Sequence, residues 1–323
     1  MKTVYPEYYE KFKCIAGDCP DSCCQGWEVD ADKDSLDYYK TLNPDLEIKQ
    51  RIDRVLDRDE FGNTIFTLAP KKRCPFLNSE NLCDMHIAIG QEHTPFTCRN
   101  FPRFTHSFGA VKEIGISFSC PVAADLIYNL DSHLNFKEIN DSNMPELNDI
   151  DALTFYKLKK YRAEAIEIMQ NDDLHIFKRL NLLLDFSVKV QNEIEPYEDG
   201  VNNTVDFLGV FSNPELINRE WVEKVNNHRS FDTCIEDNYF NENTAVYFIY
   251  KYFMDALDDY DVLSKIKMAV VGVLINTYFG GDSWTIHLWS KETEHSQYNM
   301  DRYKKLLKEE KCLSVTELKK MLK

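Results

Sequence analysis

Eight of the ten cysteines lie between positions 14 and 120, in two groups: Cys14-x4-Cys19-x3-Cys23-Cys24, and Cys74-x8-Cys83-x14-Cys98 followed by Cys120. Where disulfides do not persist, thiols clustered in this way point to a metal, an iron–sulfur centre or redox chemistry. Zinc fingers and ribbons carry short C-x2–4-C knuckles, which the spacings of eight and fourteen do not supply. The C-x3-C-x2-C run of radical enzymes begins at Cys19-x3-Cys23 but meets Gly26 where its third cysteine is required. Four thiolates from two separated segments suit a [4Fe–4S] centre, with zinc as the alternative metal. Adjacent Cys23 and Cys24 leave the backbone in different directions, so one of the pair is expected to play another part. The competing reading is that individual cysteines are buried free thiols acting as small hydrophobes.

Other residues are placed to serve such a centre or a neighbouring pocket. His86 and His93 lie between Cys83 and Cys98 and are possible ligands. Trp27 follows Gly26 and is expected to pack over the metal and keep water away. Arg99 and Arg103 flank Phe101-Pro102 beside Cys98, where a guanidinium would tune cluster charge or hold a carboxylate. Near the carboxyl end, Leu288, Glu292, His295, Asn299, Arg302 and Leu306 form one stripe at helical spacing. Polar groups bounded by leucines either brace a neighbour or line a pocket, and Glu294 falls off that stripe. The aromatic groups at Tyr247, Tyr250, Tyr252 and Phe253 and from Trp284 to Trp289 read first as helix core.

The elements that position these residues follow from periodicity and composition. Residues 1–30 read as loop and short turns, 31–57 as two short amphipathic helices, and Thr64 to Leu68 as a strand. A short helix spans Leu82 to Gly90, and strands around Phe108 to Cys120 join near Lys112 and Glu113. Long helical patterns occupy 151 to 194, with further helices at 214–226, 242–257, 260–278, 284–310 and 314–322. The fold class is therefore mainly α with small β elements, a cysteine-rich metal-binding N-terminal region packed on a helical bundle. Its expected parts are 1–130, a linker at 131–150, and a helical domain at 151–323. With 38 Lys+Arg against 54 Asp+Glu, the formal charge of −16 sets nucleic acid and anionic membrane surfaces aside as partners. No G-x-G arrangement is present among the 11 glycines, which excludes the common dinucleotide loop. The polar start MKTVYPEYYEKFK lacks a signal-peptide core, and no stretch approaches the about 20 apolar residues of a membrane span, so the expected location is cytoplasmic.

The run Phe12-x-Cys14-x4-Cys19-x-Asp21-Ser22-Cys23-Cys24-x-Gly26-Trp27 resembles the start of the flagellin lysine-N-methylase family. The resemblance continues through Cys74-Pro75-Phe76-Leu77, Leu82-Cys83, Thr97-Cys98-Arg99-Asn100-Phe101-Pro102-Arg103, Ser119-Cys120-Pro121 and Glu294-His295-Ser296-x2-Asn299, nearly the whole chain. The amino-terminal third is also similar to a wider group of zinc- or iron-chelating cysteine domains. The family resemblance implies methyl transfer from S-adenosylmethionine to lysines of flagellin, in a bacterial enzyme whose cysteines look like ligands of an iron–sulfur cluster, the candidates being Cys14, Cys19, Cys23, Cys24, Cys74, Cys83, Cys98 and Cys120. His295, Asn299 and Glu292 are then the expected catalytic residues, and Arg99, Arg103 and Trp27 the cofactor-binding ones. The rival reading is a non-catalytic iron- or zinc-binding module that binds a protein partner.

Overall fold

The computed structural model describes residues 1–59, 62–140, 151–212, 215–228, 231 and 234–322. In chain order the strands are β1 (Lys2–Pro6), β2 (Leu56–Arg58), β3 (Thr64–Phe66), β4 (Arg103–Phe108), β5 (Val111–Ile116) and β6 (Phe136–Asn140). The helices are α1 (Lys33–Thr41), α2 (Glu47–Val55), α3 (Asp84–Ile89), α4 (Phe96–Asn100), α5 (Pro121–Tyr128), α6 (Ala152–Met169) and α7 (Ile176–Ile194). They continue with α8 (Arg219–Asn227), α9 (Tyr239–Tyr252), α10 (Ala256–Asp259), α11 (Val262–Phe279), α12 (Ser283–Glu294), α13 (Gln297–Glu309) and α14 (Val315–Met321). The chain is mainly helical with small sheet elements, and it divides into two compact units.

The smaller unit, Lys13–Phe104 with Cys120–Val122, gathers α1 to α4 and the β2–β3 hairpin around Tyr39, Ile52, Phe66, Phe76 and Met85. Asp32 starts α1 by accepting from the Ser35 amide at 3.0 Å and also accepts from the Phe96 amide at 2.6 Å, tying α1 to the start of α4. The segment read as loop at 13–30 is indeed irregular, yet the chain begins with a strand, β1, which belongs to the larger unit.

The larger unit holds Met1–Phe12, Thr105–Ser119 and Ala123–Lys323. Its sheet runs in the order β4-β5-β1-β6, with β1 parallel to β5 (Lys2↔Val111, Val4↔Glu113) and antiparallel to β6 (Lys2↔Asn140, Pro6↔Phe136). The turn between β4 and β5 falls at Gly109-Ala110, ahead of the expected Lys112-Glu113, because Gly109 takes the positive φ of 61° that the turn needs. The expected linker at 131–150 contributes β6, and 141–150 lie outside the described residues. The single helix expected over 284–310 is two: the chain breaks at His295, and Ser296 restarts it by accepting from the Asn299 amide at 3.1 Å. Among the described residues α11 is long and apolar enough to cross a membrane, contrary to the reading above, but it is 94% buried inside the protein.

Helix α11 packs on α9 at Gly272, where an added Cβ would stand 2.7 Å from the buried Phe248 ring. Gly272→Ala gains helix propensity of about 1 kcal/mol but overpacks a filled core at a cost of about 1–3 kcal/mol. The expected result is a lower midpoint in urea unfolding; a higher midpoint would show that α9 and α11 are free to separate.

Candidate functional site

Glu242 lies in the first turn of α9, and its carboxylate, 1% exposed, meets a guanidinium and an imidazole. Its Oε2 accepts from Arg179 Nη1 of α7 at 2.6 Å, and its Oε1 faces His133 Nδ1 at 2.6 Å. Arg179 also donates to the Met169 carbonyl at 2.7 Å and to Asp237 at 2.6 Å. Buried charges persist only when paired in this way. The other ring nitrogen of His133, Nε2, lies 3.2 Å from Oδ2 of Asp172, in the loop between α6 and α7. The backbone around His133 is held independently: Asn243 donates to the Ser132 carbonyl at 2.9 Å and accepts from the Leu134 amide at 2.8 Å, while Gln170 donates to the Leu134 carbonyl at 3.0 Å. The ring of Tyr239 stands edge-on to the imidazole at 5.4 Å.

Burial alone would lower the His133 pKa, but the hydrogen bond and charge of Glu242, joined by Asp172, outweigh it and raise the value above that of a free histidine. His133, Asp172 and Glu242 place one ligand atom each within 4.8 Å of the others, and among the described residues no cysteine belongs to such a group. This corrects both the expected [4Fe–4S] centre and the expected N-terminal metal region: the group with ligand geometry is His/Asp/Glu and lies mid-chain. None of its members was singled out from sequence. The available signal was the run Asn241-Glu242-Asn243, three polar residues heading an apolar helix, all of them buried.

The cysteines are free thiols. Cys23 and Cys74 both hydrogen-bond to Cys24, which holds the Cys24 thiol well below its ordinary range and pushes its two donors up. The backbone explains the approach, since the Cys74 amide donates to the Cys24 carbonyl at 2.9 Å beside the Gln25–Arg73 bridge. Burial pushes the Cys83 and Cys98 thiols up, and the charge of Cys24 adds to it. Cys14 is exposed, Cys19 donates to the Asp21 carbonyl at 3.2 Å, and Cys120 is buried.

The expected cofactor-binding residues hold the smaller unit together. Arg99 donates to Ser35 Oγ at 3.3 Å and to the Thr94 carbonyl, and pairs with Asp32 at 3.8 Å. Trp27 packs on Phe101 at 5.8 Å and on the apolar cluster, while Arg103 is exposed. His93 stacks on Tyr38 at 3.5 Å, and His86 is exposed.

The expected catalytic residues lie in the larger unit, apart in sequence and unit from Arg99, Arg103 and Trp27. Glu292 accepts from the Ile217 and Asn218 amides at 3.1 and 2.6 Å. Asn299 donates to the Glu215 and Glu292 carbonyls at 2.9 and 2.7 Å and accepts from the Glu215 amide at 2.5 Å. Both therefore anchor the segment before α8. His295 sits at the break between α12 and α13. Glu294, off the expected stripe, is buried against Lys251 and accepts from Ser117 at 2.8 Å, while Lys251 donates to Ser117 and to Tyr247 at 3.2 Å each. This network pins the chain after β5 to α9 and α12, and its tyrosines are core, as read.

No family model and no solved structure matches the chain. Among curated proteins it is similar, at 26% identity over 128 residues, to a lysine-N-methylase of Salmonella typhimurium and to the flagellar biosynthetic protein FliU of Salmonella muenchen. A lysine-N-methylase of Salmonella choleraesuis matches equally over 128 residues. The match takes in 38% of this chain, 32% of the first methylase and 75% of FliU, so it spans about a third of the methylase's length. The resemblance read over nearly the whole chain is thus corrected to a partial, low-identity match shared by two differently named proteins. The methyltransferase reading is corrected with it. The sheet order β4-β5-β1-β6 is not a doubly wound nucleotide-binding sheet, and among the described residues the metal-type group contains no cysteine.

Asn299→Ala leaves the Glu215 and Glu292 backbone groups without their partner and is expected to cost about 1–3 kcal/mol in unfolding free energy; an unchanged midpoint would free Asn299 for another role. Because the His133 pKa is raised on folding, its charged contacts stabilise fully below the unfolded value and fade as pH rises through the folded one. The stability gap between wild type and His133→Gln should therefore be wider at about pH 6 than at about pH 9, and equal gaps would contradict the clamp.

Proposed function

We propose that this chain is a non-catalytic module that binds a divalent metal, zinc or ferrous iron, and engages a flagellar protein, flagellin being the first to test, in the cytoplasm. The observation that carries the reading is His133 itself. Its Nε2 and Asp172 Oδ2 stand 3.2 Å apart, close to the about 3.3 Å between neighbouring ligands of a tetrahedral ion with bonds of about 2.0–2.1 Å. Its Nδ1 is held by a buried carboxylate, the arrangement that orients metal-binding imidazoles. Nitrogen and carboxylate donors suit zinc and iron. His133 and Asp172 would hold the ion, displacing the proton they share, while Glu242 and Arg179 fix the ring from behind. The bound ion would supply a rigid cationic point on an acidic surface.

Support for a partner comes from two sides. One relative is by name a flagellar biosynthetic protein. The outer face of α7 and the loop before it form an open groove of about 330 Å³ lined by Leu174, Phe177, Lys178, Asn181 and Leu182, an exposed apolar surface of the kind that marks contact sites.

Calorimetric titration of the chelator-treated chain with Zn²⁺ tests the reading. One equivalent should bind, Cys24→Ser should bind the same amount, and Asp172→Asn, a change at a side chain 64% exposed, should weaken binding by about tenfold or more. Absence of binding, or binding lost in Cys24→Ser and kept in Asp172→Asn, would overturn it.

A further inference from the structure

Among the described residues few further donors face an ion at His133 and Asp172. Zinc takes four ligands, and the neighbouring polar groups already have work. Glu242 divides its oxygens between Arg179 and the far side of the imidazole. Asp237 accepts from Arg179 at 2.6 Å and from the Ile176 amide at 3.3 Å, and pairs with His175 at 3.9 Å. The Tyr239 ring stands perpendicular to the imidazole, 5.4 Å between centres, and offers no donor there. The pair is open to solvent, the His133 and Asp172 side chains being 30% and 64% exposed.

We infer that an ion held by His133 and Asp172 keeps coordination positions open toward solvent, and that an imidazole from a protein partner fills one of them, so that the metal bridges the two proteins. This rests on the metal reading proposed above. The choice of imidazole follows from charge. The chain carries −16 and the ion already faces Asp172, with Glu242 behind, so an acidic partner segment is repelled on approach while a neutral donor adds no further negative charge. The adjoining apolar groove on α7 gives the segment carrying that histidine a surface to lie on.

Cobalt makes the test visible. The full chain, freed of metal, is titrated with Co²⁺ and then with imidazole as the stand-in for the partner's side chain, while visible absorption is followed. Binding of one Co²⁺ that Asp172→Asn weakens, followed by a shift and intensification of the d–d bands on adding imidazole and a rise of about tenfold in apparent Co²⁺ affinity, is the expected result. Co²⁺ bound in the same Asp172-dependent way with a spectrum and affinity that imidazole leaves unmoved would overturn this inference and leave the metal reading standing. Co²⁺ binding that is absent, or indifferent to Asp172→Asn, would overturn both.

Discussion

A buried carboxylate needs hydrogen-bond partners and opposite charge inside a protein, and in the larger unit Glu242 meets a guanidinium and an imidazole. Arg179 reaches it from α7 while also holding the end of α6 through the Met169 carbonyl and the approach to α9 through Asp237. His133 reaches it from the segment before β6. One side chain thereby joins three helices and a strand lead, and the orientation of the imidazole is a by-product of satisfying that buried charge. With Nδ1 of His133 on Glu242, Nε2 of the same ring faces Asp172.

The helices of this unit were largely legible in the sequence, because α6, α7, α9 and α11 keep their apolar pattern over many turns. What periodicity could not show was local chemistry at helix ends. Ser296 accepts the Asn299 amide and restarts the chain as a new helix, so the stripe from Leu288 to Leu306 is divided between two axes. β1 was missed because five residues, two of them aromatic or proline, carry too little alternation to stand out at a chain start. The site was not legible at all. Its partners are 39 and 109 residues from His133, and His133 lies in a stretch whose polarity read as linker.

The thiols were the plainest sequence signal and led to the wrong centre. Their convergence is partly real: Cys23 and Cys74 close on Cys24 because the chain pairs Gln25 with Arg73. Yet Cys23 and Cys74 turn to Cys24 itself, and Cys24 reaches Cys83 and Cys98 through charge. Counting cysteines by segment predicts how many ligands a site has available, but not which side chains the backbone turns inward. The polar residues near the carboxyl end teach the same lesson in reverse, since Glu292 on α12 and Asn299 on α13 are both buried and both hold backbone groups of the segment before α8.

The most direct test of this account is crystallography of the full chain soaked with zinc, with anomalous scattering collected at the zinc absorption edge. The account predicts a peak bonded to His133 Nε2 and to Asp172, with Glu242 still on Nδ1. A peak among Cys23, Cys24 and Cys74 with nothing at His133 would contradict it.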